Sequence, residues 1–257
     1  MRSTRAILTI VVVAFLGGVV LSGYRGAAQE APAAEYVGSG KLHAMCHKQQ
    51  HDVWSETLHA KQKPAADATP DAKYRRSTGY EQKGDEAEAG IRCEACHGPA
   101  KPHMDAPLTK KKGTSLVATT LKDPLAAMAI CARCHSQGAM DDGTKYPKGY
   151  AHGKRLPEGY KLAATVAGTT RLRQFNDLQG SKHIENGVTC ITCHTAHGGM
   201  AAKPQLRKPL NELCLDCHAA QADVVAHSKI ATAKPDSKCN ECHMPEKKHV
   251  FKTPPAQ

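Results

Sequence analysis

The chain has 257 residues but only 11 aromatic side chains, too few for the Leu, Ile, Val and Phe packing of an ordinary core at this length. Its formal charge of +11 would by itself suggest a nucleic-acid partner. No Ser-His-Asp set, phosphate loop or zinc-protease motif occurs, which leaves the common hydrolase and nucleotide-binding classes without support.

In chain order, Arg2 and Arg5 precede an apolar run from Ile7 to Leu21 and then small residues at Gly26, Ala27 and Ala28. This reads as an export signal over residues 1–28; an uncleaved membrane anchor is the alternative, although the run is short for a span. His47 to Ala60 carries helix formers without proline or glycine and is expected to be helical. Residues 64–90 read as an irregular surface excursion. Pro124, a good first-turn residue, opens a helix to about Cys134. Gly138 to about Thr170 is a long loop with a short strand pair. Helices are expected again over Arg171 to Glu185 and Leu210 to Val225, and a tight irregular segment at the end. The expected class is therefore mainly α with long irregular loops and little β.

Through these elements one motif recurs. Cys93-Glu94-Ala95-Cys96-His97, Cys131-Ala132-Arg133-Cys134-His135, Cys190-Ile191-Thr192-Cys193-His194, Cys214-Leu215-Asp216-Cys217-His218 and Cys239-Asn240-Glu241-Cys242-His243 all read Cys-x-x-Cys-His. Two thiols at this spacing form thioethers with the two vinyl groups of a haem, and the adjacent imidazole reaches the iron. Zinc would account for the cysteine pairs but not for a histidine after every one. A disulfide framework would not need adjacent pairs. A sixth copy is damaged: Cys46 and His47 are present, but His43 stands in the place of the first cysteine. Two readings stay open there, a haem held by one thioether with His47 as ligand, or a free thiol.

Closely packed haems would thus form most of the interior, within one unit over residues 29–257. A first group lies at 36–135 and a second at 171–250, joined by the long loop. Removing residues 1–28 leaves 32 basic and 24 acidic residues. Haem propionates then offset the excess, so no nucleic-acid footprint survives. The run Lys110-Lys111-Lys112 reads as a solvated loop.

Nine histidines lie outside the motifs: His43, His51, His59, His103, His152, His183, His197, His227 and His249. Six would suffice to give every iron two imidazoles, a closed arrangement suited to electron transfer. Met128, Met200 and Met244 are the sulfur alternatives and read as core filler. His197 follows His194 by three residues, so both lie on one side of the chain and His197 should serve a neighbouring haem. The same argument applies to His51 after His47.

Several of these segments carry a family resemblance. Tyr36-Val37-Gly38-Ser39 with Trp54-Ser55-Glu56-Thr57-Leu58-His59, and Cys96-His97-Gly98-Pro99 with His103, resemble the multihaem superfamily of the ammonia-oxidiser tetrahaem cytochrome and hydroxylamine oxidoreductase. Ser181-Lys182-His183, then Cys193-His194-Thr195-Ala196-His197-Gly198, and Cys242-His243-Met244-Pro245 resemble the decahaem electron-conduit cytochromes of outer membranes. The resemblance implies His59, His103, His183, His197 and His227 as distal ligands. His152 is taken as the sixth, ahead of His249. Departure from the family pattern at His43 bears on loading of the first haem.

The expected function is electron transfer through five to six covalent c-type haems, mostly with two histidines, in the periplasm or outside the cell. Expected partners are redox proteins, such as a quinol-oxidising membrane cytochrome or a terminal reductase of anaerobic respiration. Two other classes stay open: an oxidoreductase for a small nitrogen or sulfur compound, and a homo-oligomeric extracellular haem filament. Cytochrome c nitrite reductases mark their open iron with a lysine in place of the motif histidine, and no Cys-x-x-Cys-Lys occurs here. Since roughly 38 residues must wrap each haem, haem-free protein is expected to be unfolded. Circular dichroism checks this: native-like helix content without haem would contradict it.

Overall fold

The computed structural model describes residues 36–37, 46–62, 67, 69–75, 91–113, 121–164, 172–198, 205–244 and 248–252. The segment 1–28, His43, Met200 and residues 76–90 lie outside them. Residues 34–257 cluster as one unit.

The described chain is mainly helical, in short pieces. In order these are α1 (Lys48–Ser55), α2 (Leu58–Lys61), α3 (Pro70–Arg75), α4 (Cys93–His97), α5 (Lys101–Asp105) and α6 (Pro124–His135). After the antiparallel pair β1 (Gly138–Ala139) and β2 (Lys161–Leu162) come α7 (Gln174–Leu178), α8 (Lys182–Glu185), α9 (Cys190–Cys193), α10 (Leu210–Leu215), α11 (Val224–Ser228) and α12 (Cys239–His243). Two 3-10 segments, Leu108–Gly113 and Ala219–Gln221, complete the order.

Three expected helices are broken, each by a side chain that competes for backbone donors. Thr57 turns extended and its hydroxyl accepts from the Ala60 amide at 3.2 Å, so the helix expected over 47–60 splits into α1 and α2. Gly180 at φ +70° and the Ser181 cap split the one expected over 171–185 into α7 and α8. Asp223 caps α11 by accepting from the Ala226 amide at 2.9 Å, which interrupts the one expected over 210–225. The final motif is a helical turn rather than irregular chain.

Only α6 keeps the expected length. Asp123 accepts from the Leu125 amide at 3.0 Å and Pro124 fills the first turn. Its buried face is narrow: Ala126, Met128, Ala129, Ala132, Arg133 and Cys134. Met128 and Ala132 meet Phe175 and Leu178 of α7, with Leu125, Leu156, Leu162, Ile184 and Cys190 packed around them. Among the described residues, twelve apolar side chains are buried, and five are alanines. At about 1.5–3 kcal/mol per large buried side chain, this cluster is a support and not a full core. Met128, 1 % exposed, belongs to it as filler.

One side chain ties α7 to the end of the third motif. Asn176 Nδ2 donates to the carbonyls of Gln137 at 2.7 Å and Ala163 at 3.0 Å, and its Oδ1 accepts from the Gln137 amide at 2.8 Å. These bonds fix β1 and β2 beside the exit of α6, where His135 lies. Replacing Asn176 with alanine removes three hydrogen bonds to partly buried backbone groups, of which the Gln137 carbonyl keeps the Ala163 amide at 2.8 Å, and is expected to cost about 2–3 kcal/mol, a fall of roughly 5–10 °C in Tm. Thermal denaturation of the holo-protein checks it; a Tm within about 2 °C of wild type would show that this clip is not needed.

Candidate haem centres

A Cys-x-x-Cys-His segment wound as one helical turn places its residues at i, i+3 and i+4, so both sulfurs and the imidazole share a face. Three motifs adopt this turn directly, as α4, α9 and α12. The third motif forms the last turn of α6, and the fourth intact one begins in α10 and closes with the His218 amide donating to the Cys214 carbonyl at 3.0 Å. None of the motif cysteines is disulfide-bonded.

Each motif histidine faces an imidazole from outside the motifs. His97 and His197 lie with ring centroids 5.7 Å apart, nearly parallel at 8°, and Nε2 atoms 3.4 Å apart. His135 faces His59 at 6.0 Å, and His218 faces His183 at 6.1 Å. His194 faces His249 at 6.0 Å, and His243 faces His227 at 5.9 Å. The damaged copy behaves alike, with His47 facing His103 at 6.1 Å.

Two metal–imidazole bonds of about 2 Å, plus about 1 Å from each nitrogen to its ring centre, span about 6 Å. Ordinary aromatic pairs scatter over about 4.5–7 Å; six pairs held at 5.7–6.1 Å while their interplanar angles run from 8° to 77° have instead the near-constant spacing of a shared metal. The donor set and the centroid spacing therefore fit an iron between each pair, with the motif cysteines at hand for the macrocycle edge; the His97 and His197 nitrogens, 3.4 Å apart, would separate slightly to admit one.

Local structure explains why these imidazoles stand where they do. Thr57 and Ser181 each cap a one-turn helix that carries its histidine at the second position, His59 and His183; Asp223 caps the turn that carries His227. Lys111 does the same for α5 from the other end, its Nζ 2.7 Å from the carbonyls of His103 and Met104, so the lysine run is more than a solvated loop. His197 reaches His97 because Gly198, at φ +89°, lets its loop pass close to Val53: an added Cβ would lie 2.7 Å from that carbonyl.

Second contacts orient two motif rings. Gln174 Oε1 lies 3.1 Å from His135 Nδ1, and the Lys252 carbonyl 2.9 Å from His243 Nδ1. Each acceptor requires a proton on Nδ1, which leaves the Nε2 lone pair for the metal. Burial, then the facing His135, pushes His59 down to about 4. Burial followed by His197 and His47 lowers His97, and burial lowers His183 and His249 as well. These rings are neutral at neutral pH, the form that ligates.

The structure redraws one ligand assignment. His152, taken from the sequence as a distal ligand, has its Nε2 3.1 Å from the Ala95 carbonyl and 3.2 Å from Arg133 Nη1. Its ring packs between Tyr36 and Tyr150 and over Gly98, so its ligating nitrogen is spent elsewhere. His249 takes the place opposite His194. A signal for it was present: His97-Gly98-Pro99-Ala100-Lys101-Pro102-His103 and His243-Met244-Pro245-Glu246-Lys247-Lys248-His249 share the pattern His-x-Pro-x-Lys-x-His. His51 lies against Trp54, with ring centroids 5.6 Å apart.

Neighbouring sites influence one another's charge in chain order. Burial, then His197 and His47, lowers His97. Burial raises the Cys96 thiol and Cys134 adds to it, while Cys190, burial and Cys96 raise Cys131. Burial, then His194, lowers His249, with His135 a further cause. Burial raises Cys193 and Cys214, with Cys217 acting on the first and Cys239 on the second.

Comparison with known proteins finds three likenesses. A family defined by a doubled CXXCH motif matches residues 182–223, which hold two of the five intact motifs. The chain is 28 % identical over 163 residues to the multihaem cytochrome MtrA of Shewanella baltica, covering 61 % of this chain and 36 % of that protein. It thus spans little more than a third of the length of that relative. An undecahaem cytochrome from the S-layer of Carboxydothermus ferrireducens aligns with 77 % of this chain and 38 % of its own, at 19 % identity and a TM-score of 0.32. Five Cys-x-x-Cys-His motifs, each with its imidazole opposite a second one, together with these likenesses, make the chain similar to multihaem c-type cytochromes.

Proposed function

We propose that the protein carries six c-type haems, each held between two of its own histidines, and passes electrons along them in chain order outside the cytoplasm. The doubled CXXCH match and the likeness to a multihaem cytochrome support electron transfer through c-type haem, and the facing imidazoles support the number and ligands. One observation carries it: all six motif histidines, including His47 of the damaged copy, face a second imidazole at 5.7–6.1 Å.

Bound haem supplies a one-electron couple at its iron. The chain supplies the rest. His47/His103, His97/His197, His135/His59, His194/His249, His218/His183 and His243/His227 close both faces of the six positions. With two imidazoles at each, no position is left for a small nitrogen or sulfur substrate, which favours a carrier over an oxidoreductase. Since every second imidazole comes from within the chain, none has to be borrowed from a neighbouring copy, and a ligand-sharing filament loses its rationale. The electrostatic influence of His47 on His97, Cys96 and Cys190 on Cys131, Cys217 on Cys193 and Cys239 on Cys214 supports an order from one site to the next, with the first and sixth at the ends.

Cys46 offers one sulfur for the first haem, and the His47/His103 pair supplies the ligands. The charged, then apolar, then small-residue pattern of 1–28 supports export, to the compartment where c-type haem is attached. Among the described residues no helix is long and apolar enough to cross a membrane. Redox proteins that meet the terminal sites are the partners this arrangement suits.

The two contested histidines separate the ligand assignment from the one expected from sequence. Replacing His249 with glycine should convert one haem in six to a high-spin ferric signal. Replacing His152 with glycine should leave all of them low-spin. Electron paramagnetic resonance of the oxidised variants reads this directly, and a high-spin signal from the His152 variant alone would reverse the assignment.

A further inference from the structure

Arg133 occupies the third place of the third motif and is 2 % exposed, an unusual setting for a guanidinium. It donates through Nη2 to the carbonyl of Ala95, the third residue of the second motif. Its Nη1 lies 3.2 Å from His152 Nε2, and its carbon sits over the Tyr150 ring at 5.6 Å. It also lies beside Cys134 and Cys96, the second cysteines of the third and second motifs. One buried cation thus stands between the cysteine edges of two consecutive sites.

Thioethers form at the vinyl edge of a haem, and the propionates extend from the opposite edge. A cation at the shared cysteine edge is therefore far from the anionic groups of both macrocycles. Fixed positive charge stabilises the reduced iron, which carries one charge less. At about 10 Å and an effective dielectric of about 20, a unit charge shifts a one-electron equilibrium by roughly tenfold.

Resting on the six-haem reading, we propose that Arg133 raises the reduction potentials of the haems at the second and third sites and so places a low-energy step for electrons early in the chain. His152 and Tyr150 hold the guanidinium in that position. This gives His152 a role that ligation does not.

The test is potentiometric titration of the holo-protein with three variants. Arg133→Gln removes the charge, His152→Glu sets a carboxylate against it, and Arg133→Lys keeps a charge but loses the planar fork. The first two are expected to lower the midpoints of two haems by roughly tenfold in equilibrium constant, about 60 mV for one electron. Arg133→Lys should stay near wild type. Unchanged midpoints in Arg133→Gln and His152→Glu would overturn the proposal, as would an equal fall in Arg133→Lys, which would make the role geometric. Should Arg133→Gln fail to assemble, His152→Glu decides alone, because it leaves Arg133 in place. Six low-spin haems in the variants show that the site reading stands whatever the potentials do; a high-spin haem in His152→Glu would overturn that reading instead.

Discussion

Everything in this protein depends on pairs of imidazoles set about 6 Å apart. The described residues offer a small apolar cluster around Met128 and Phe175, and helices mostly of one or two turns. Isolated helices this short are not stable in water, so each must be fixed from outside. The spacing of His97 and His197, His135 and His59, and the other pairs suits a metal bridge where an ordinary domain has layers of Leu and Ile. Metal–ligand bonds and folding are then one process.

The second imidazole usually comes from another part of the chain. His103, from the segment after the second motif, faces His47 of the first. His59, from beside the first motif, faces His135 of the third. His197, next to the fourth motif, faces His97 of the second, and His249 from near the C-terminus faces His194. The first and second groups of motifs are thereby stitched together through His197 and Gly198, where the loop presses on Val53. Such exchange interleaves successive sites along the chain. Arg133 sits within one of these junctions.

Covalent attachment was legible in the sequence because it is local: five residues in one turn present two sulfurs and an imidazole on one face. The helix from Pro124 to His135 was legible too, through its Asp-Pro start. The second ligands were harder, since each is a long-range partner whose place is set by tertiary packing. His59, His103, His183, His197 and His227 came from family likeness. His249 was passed over for His152, although its spacing after His243 repeats that of His103 after His97. No local rule shows that the His152 nitrogen is occupied by Ala95 and Arg133, which are distant in sequence. The helix breaks at Thr57, Gly180 and Asp223 were missed because helix-forming composition outweighed the caps. Those caps do functional service, as they position His59, His183 and His227.

The central claim is that six positions are each closed by two histidines of the same chain. Spin quantitation by low-temperature electron paramagnetic resonance on the fully oxidised holo-protein tests it most directly. The account predicts six low-spin ferric haems per chain and no high-spin component. Five haems, or one high-spin haem per chain in the unmodified protein, would contradict it.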